Sequence, residues 1–117
     1  MRALIVEDNE DMRELVSLTM QLSGVEVAGE AATGGAGVRG WREQQPDFVV
    51  LDYVLPDDNG LNVAEQLLRE DPAARIVLFS AHLDDATLAR AARLGVGAVT
   101  KDRLTDLVML ATGAVAA

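Results

Sequence analysis

Short runs rich in Val, Ile and Leu recur five times along the chain, each followed by a segment with apolar residues at helical spacing. The runs are "RALIVE" (2–7), "VEVAGE" (25–30), "FVVLD" (48–52), "RIVLFS" (75–80) and "GAVTK" (97–101). Most are continuously apolar rather than alternating, so they need cover on both faces. A parallel sheet between two helix layers supplies that cover. The expected fold is therefore α/β, a five-stranded parallel sheet with helices on both faces in a three-layer sandwich. The helical segments are 10–23, 37–45, 61–71, 85–95 and 104–117. Met12, Leu15, Val16, Thr19 and Met20 fall on one face of the first. Val63, Ala64, Leu67 and Leu68 do so in the third, and Leu104, Leu107, Val108, Ala111 and Val115 in the last. The 37–45 segment is weak, diluted by glycines and stopped before Pro46.

At 117 residues the chain suits one domain with a core of its own, and no repeat or linker divides residues 1–117. It has no cysteine, which excludes a disulfide framework, a thiolate metal site and a cysteine nucleophile. Acid follows the first residues too early for a signal peptide, and no apolar run is long enough to span a membrane. A cytoplasmic location is expected. The Ala-rich last helix lacks charges in its final turn, as expected of an N-terminal domain cut from a longer protein. The formal net charge of −9 argues against direct binding to nucleic acid, which needs clustered Lys and Arg.

In a doubly wound sheet the functional groups gather beyond the carboxyl ends of the strands. Glu7 and Asp8 follow the first strand, Asp52 ends the third, Ser80 the fourth and Lys101 the fifth. Carboxylates brought together repel unless a cation joins them. Mg²⁺ takes oxygen ligands from a few carboxylates and leaves room for water and phosphate. An Asp beside such an ion can act as a nucleophile toward a phosphoryl group. An ammonium and a hydroxyl then receive the phosphoryl oxygens.

The order of these stretches resembles the receiver domain of response regulators, the phosphate-accepting half of two-component signalling. "LIVEDN" (4–9) resembles its acidic pair, and "VVLDYVLPDDNG" (49–60) the phosphoacceptor strand and loop, including Pro56 and Gly60. "IVLFSAH" (76–82) resembles its hydroxyl segment and "GVGAVTKD" (95–102) its lysine segment. The resemblance spans essentially the whole chain and implies a CheY-like, flavodoxin-like fold. It implies that Asp52 accepts the phosphoryl group and that Ser80 and Lys101 bind it. It implies Mg²⁺, or Mn²⁺ in its place, held by Asp8, Asp52 and the backbone carbonyl of Val54, with Glu7 acting through a bound water. The implied partner is a sensor histidine kinase or phosphotransfer protein. The implied contact face, for a homodimer or an output, is the fourth helix, fifth strand and fifth helix. "VEVAGEAATG" (25–34) and the Lys101–Asp102 pair further resemble receivers that precede a LuxR/NarL-type helix-turn-helix output domain.

Two positions depart from the family. Ala98 stands where an aromatic often sits three residues before the lysine, and Asp102 stands where Pro often follows it. Both bear on how a signal leaves the domain. His82 and Val54 are candidates to tune how water reaches the phosphoryl group. Asp57 and Asp58 read as solvated turn residues and Trp41 as helix packing.

Three other readings stand beside this one. "GAGVRG" (35–40) fits the G-x-G-x-x-G fingerprint of dinucleotide binding. It follows the second strand rather than the first, and "AATG" (31–34) intervenes. A haloacid-dehalogenase-type phosphatase also uses an Asp nucleophile, but it needs a second acid where this chain has Val54. A receiver-like interaction module that works without phosphate is compatible with Ala98. None of the favoured readings makes the chain an enzyme acting on an external metabolite.

Overall fold

The computed structural model describes residues 1–113. Five strands alternate with five helices: β1 (Arg2–Val6), α1 (Glu10–Leu22), β2 (Glu26–Ala31), α2 (Gly34–Gln44), β3 (Phe48–Leu51), α3 (Gly60–Glu70), β4 (Ile76–Ser80), α4 (Asp85–Leu94), β5 (Gly97–Thr100) and α5 (Leu104–Thr112). The sheet is parallel throughout, in the order β2-β1-β3-β4-β5. This is the CheY-like α/β arrangement expected from the sequence.

Strand alternation sorts the core into two layers. Leu4, Val6, Val49, Leu51, Ile76 and Leu78 face α2, α3 and α4, where they meet Val38, Leu61, Ala64, Leu67 and Ala91. Ala3, Ile5, Phe48, Val50, Val77 and Phe79 face α1 and α5, where they meet Val16, Met20, Leu107 and Ala111. β1, β3 and β4 are apolar on both faces because both faces are covered.

Each of the first four helices starts at a residue whose side-chain oxygen accepts a backbone N–H of the first turn. Asn9 caps α1 through the N–H of Met12, Thr33 caps α2 through Ala36, Asn59 caps α3 through Asn62 and Asp84 caps α4 through Thr87. α5 follows Arg103 without such a bond.

Three expectations shift. α2 begins at Gly34, three residues before the sequence pattern suggested, because the Thr33 cap and tight packing outweigh the poor helix propensity of its glycines. A Cβ on Gly37 would lie 3.0 Å from Val6, and one on Gly40 3.3 Å from Leu4, so these glycines let α2 approach β1. Leu15 lies in phase with the apolar face of α1 yet is 47 % exposed, because the buried stripe runs through Val16, Ser17 and Met20. α5 ends at Thr112, with Gly113 in the left-handed conformation (φ 77°). Val115 and the rest of the 104–117 segment lie outside the described residues. No helix among the described residues is long and apolar enough to cross a membrane.

Candidate functional site: an acidic cluster at the carboxyl edge of the sheet

The strand order reverses about β1, so the ends of β1 and β3 lie side by side. Hydrogen bonds continue the ladders just past the strands: Glu7 N–H donates to the Ala31 carbonyl at 2.9 Å and Asp52 N–H to the Val6 carbonyl at 3.0 Å. On the other side, Lys101 N–H donates to the Ser80 carbonyl at 2.9 Å. The backbone thus fixes where these four side chains start.

Glu7 (3 % exposed), Asp52 (5 %) and Ser80 (2 %) are buried, whereas Asp8 is exposed. Ligand oxygens of Glu7, Asp8 and Asp52 all lie within 4.8 Å of one another. The Lys101 ammonium stands 2.5 Å from Glu7 Oε1 and 3.1 Å from Asp52 Oδ2. One cation therefore faces three carboxylates. That imbalance suits a hard divalent cation with oxygen ligands. Asp52, Val54, Ser80, His82 and Lys101 line one open pocket, together with Tyr53, Asp84 and Thr87.

Electrostatics follow from this crowding. Burial pushes the Glu7 carboxyl up to about 7, the Asp52 carboxylate reinforces the rise, and Lys101 opposes it. Burial works against the Lys101 ammonium, but its hydrogen bonds to Glu7 and Asp52 outweigh that, and its pKa is raised.

The structure brings Glu7, Asp8, Asp52, Ser80 and Lys101 to one edge. It sets Val54 and His82, both with exposed side chains, at the rim. Two residues read as solvated are exposed, and both are also hydrogen-bonded. Asp57 Oδ1 accepts from Gly34 N–H at 2.8 Å and its Oδ2 from Gly35 N–H at 2.9 Å. Those two bonds hold its carboxyl below the usual range. Asp58 Oδ1 accepts from Asn59 N–H and from the Asn62 side chain, both at 2.8 Å. Trp41 packs against the α2–α3–α4 core layer, as expected. The Asp57 bonds also bear on the dinucleotide fingerprint. A pyrophosphate would need the first-turn N–H groups of α2, and an internal carboxylate already takes two of them.

Sheet order, helix placement and an acidic pocket beside a lysine define a class of phosphate-responsive α/β modules. The model of the response regulator receiver domain matches residues 3–110, and the chain belongs to that family. It is 35 % identical over 94 residues to a chemotaxis protein CheY of Thermotoga maritima, covering 80 % of this chain and 78 % of that protein. It is 36 % identical over 110 residues to the probable transcriptional regulatory protein TcrX of Mycobacterium tuberculosis, covering 92 % of this chain but 46 % of that protein. The crystal structure of a two-component response regulator of the LuxR family from Aurantimonas sp. SI85-9A1 superposes with a TM-score of 0.91. It shares 33 % identity, covering 98 % of this chain and 84 % of that one. The protein is therefore a receiver domain for two-component signal transduction, a signalling module rather than a catalytic enzyme. Its acidic pocket of Glu7, Asp8 and Asp52 is consistent with phosphorylation-based signalling.

Proposed function

We propose that residues 1–117 form one receiver domain in which Asp52 accepts a phosphoryl group from a phosphohistidine. The donor is a sensor histidine kinase or a phosphotransfer protein. The P–N bond of the donor breaks as an Asp52 carboxylate oxygen bonds to phosphorus, and the histidine leaves. A bound Mg²⁺, or Mn²⁺, supplies charge neutralisation for the transferring group. Asp8, Asp52 and the Val54 carbonyl would hold it, and Glu7 would act through a water. Lys101 receives a phosphoryl oxygen as a point charge and Ser80 donates its hydroxyl. The observation that carries this reading is three carboxylates within 4.8 Å of one another beside a single ammonium.

The reading extends to a cytoplasmic module that signals through the α4–β5–α5 face, as a homodimer or to a DNA-binding output domain outside this chain. The formal net charge of −9 assigns any DNA contact to that output domain. The test is intact-mass spectrometry after incubation with Mg²⁺ and acetyl phosphate. One added phosphoryl group is expected on the wild type. It should be absent from Asp52→Asn and lost with chelator. A folded protein that gains no mass under these conditions would refute the reading.

One observation favours a second reading, a module that binds partners without phosphate. Ala98, at the position where the family often carries a ring, lines a groove with Leu83, Leu88, Val99 and Leu110 together with Thr100, Arg103 and Asp106. A partner complex that forms equally well with wild type and Asp52→Asn would favour it.

A further inference from the structure

Residues 53–59 carry the chain from Asp52 to α3 and include Val54, the proposed backbone ligand of the cation. Much of this loop is exposed, with Val54 at 67 %. Its own internal contacts are local. Leu55 N–H donates to the Asp58 carbonyl at 3.2 Å, Val54 bridges to Asn59, and Gly60 N–H donates to the Tyr53 carbonyl at 2.6 Å. The Asp58 side chain accepts from Asn59 N–H and the Asn62 side chain, and the Asn59 side chain from Asn62 N–H at the start of α3. Among the hydrogen bonds of the described residues, one side chain of the loop reaches an element other than α3. That side chain is Asp57, which accepts from Gly34 and Gly35 at the first turn of α2. The seat is shaped for it. A Cβ on Gly34 would lie 2.9 Å from Val63 Cγ2 and 3.1 Å from Asp57 Oδ1. The carboxylate meets two N–H groups at once, so both its position and its rotation are set.

We propose that Asp57 is a positioning residue for the proposed cation site, tying the 53–59 loop to α2 and so limiting the orientations open to the Val54 carbonyl. This inference rests on the function proposed above. Without the tie, the loop is held by Leu55 in the core and by contacts within β3, α3 and itself. The carbonyl then samples more orientations, and cation binding must order it. The same link makes α2 sense the loop, because whatever moves Val54 also pulls on the Gly34–Gly35 amides.

The test is calorimetric titration with Mg²⁺ of the wild type, Asp57→Ala, Asp57→Asn and Arg75→Ala. Arg75 lies at the far edge of β4 and donates to the Ala111 carbonyl at 3.1 Å, so its loss controls for general destabilisation. Asp57→Ala is expected to weaken Mg²⁺ binding roughly 3- to 10-fold, on the scale of a lost helix cap. Asp57→Asn retains one acceptor and should fall between Asp57→Ala and the wild type. Arg75→Ala should bind as the wild type does. Amide exchange at Gly34 and Gly35 should quicken in Asp57→Ala, showing that the tie is broken. If those amides quicken and Mg²⁺ affinity stays unchanged, the inference is wrong. Equal weakening by Arg75→Ala would also overturn it, since the effect would then be general. A wild type that binds no Mg²⁺ would overturn the proposed function itself, and this inference with it. Gly34→Ala, which crowds the seat from the α2 side and leaves the loop's own sequence intact, repeats the test should Asp57→Ala not fold.

Discussion

Glu7 is the residue whose surroundings are least comfortable. Its carboxyl is 3 % exposed and its pKa is raised from 4.5 to about 7 by burial, with Asp52 adding to the rise. The fold therefore prefers the protonated acid, while the unfolded chain releases the proton at the ordinary value. The contribution to stability is fully present below about 4.5 and is lost as pH rises through about 7. Denaturant titrations in chelator at about pH 5 and about pH 8 should show the wild type losing on the order of 1 to 3 kcal/mol relative to Glu7→Gln. Saturating Mg²⁺ should remove that loss, because the ion favours the ionised acid. A wild type whose stability tracks Glu7→Gln across this range would show that Lys101 alone compensates the buried charge. Gly60 is constrained differently. A Cβ there would stand 2.1 Å from the Asp52 carbonyl oxygen, a backbone atom with no side-chain freedom to retreat. Gly60→Ala should cost about 3 kcal/mol or more and displace Asp52. A denaturation midpoint close to the wild type would show that the loop can open to admit the methyl group.

At the scale of elements, α2 separates two opposing effects. Replacing a mid-helix glycine by alanine favours the helix by about 0.5 to 1 kcal/mol. At Gly37 the new Cβ would press on Val6 Cγ2 at 3.0 Å and Cγ1 at 3.1 Å, on a branched side chain locked within β1. Overpacking of this kind costs about 1 to 3 kcal/mol, so Gly37→Ala should be destabilised. At Gly40 the contact is 3.3 Å to the end of the more flexible Leu4, so Gly40→Ala should be close to neutral. Paired urea titrations decide between them, and equal effects at the two sites would mean that propensity rather than packing governs α2. This helix also marks where sequence reading stopped. The strands were legible because a parallel strand covered on both faces has to be an apolar run. The strand ends then located Glu7, Asp8, Asp52, Ser80 and Lys101, since topology alone sends them to one edge. The start of α2 was hidden because its glycines lower helix propensity, and the close approach to β1 that justifies them is a tertiary fact. Leu15 was misplaced because periodicity gives the spacing of an apolar stripe but leaves its angle open. The bonds of Asp57 join residues 23 and 22 positions apart, and nothing in "PDDNG" distinguishes its role from that of Asp58.

The whole molecule carries a formal net charge of −9, and its sheet edge concentrates three carboxylates against one ammonium. In the absence of a cation, the site opposes the fold that builds it. Above about pH 7, where Glu7 is ionised, removing the Asp52 charge leaves the Glu7–Lys101 contact in place and relieves repulsion between two buried acids. Asp52→Asn should therefore raise the melting temperature in chelator. The gain should be a few degrees, given that about 1 kcal/mol moves a domain of this size by roughly 3 to 6 °C. Mg²⁺ acts in the opposite sense. A ligand that binds only the folded state at a hundred times its dissociation constant stabilises by about 2.7 kcal/mol, so the wild type should melt about 10 °C higher when loaded. In the proposed site Asp52→Asn lacks one charged oxygen ligand and should gain far less. The two melting curves should thus cross: the variant is the more stable protein without the ion and the less stable one with it. That crossing separates a site held in tension for its function from an acidic patch that merely tolerates its charge. If Asp52→Asn melted lower in chelator as well, Asp52 would be a structural anchor for Lys101, and the stability cost of the cluster would have to lie with Glu7.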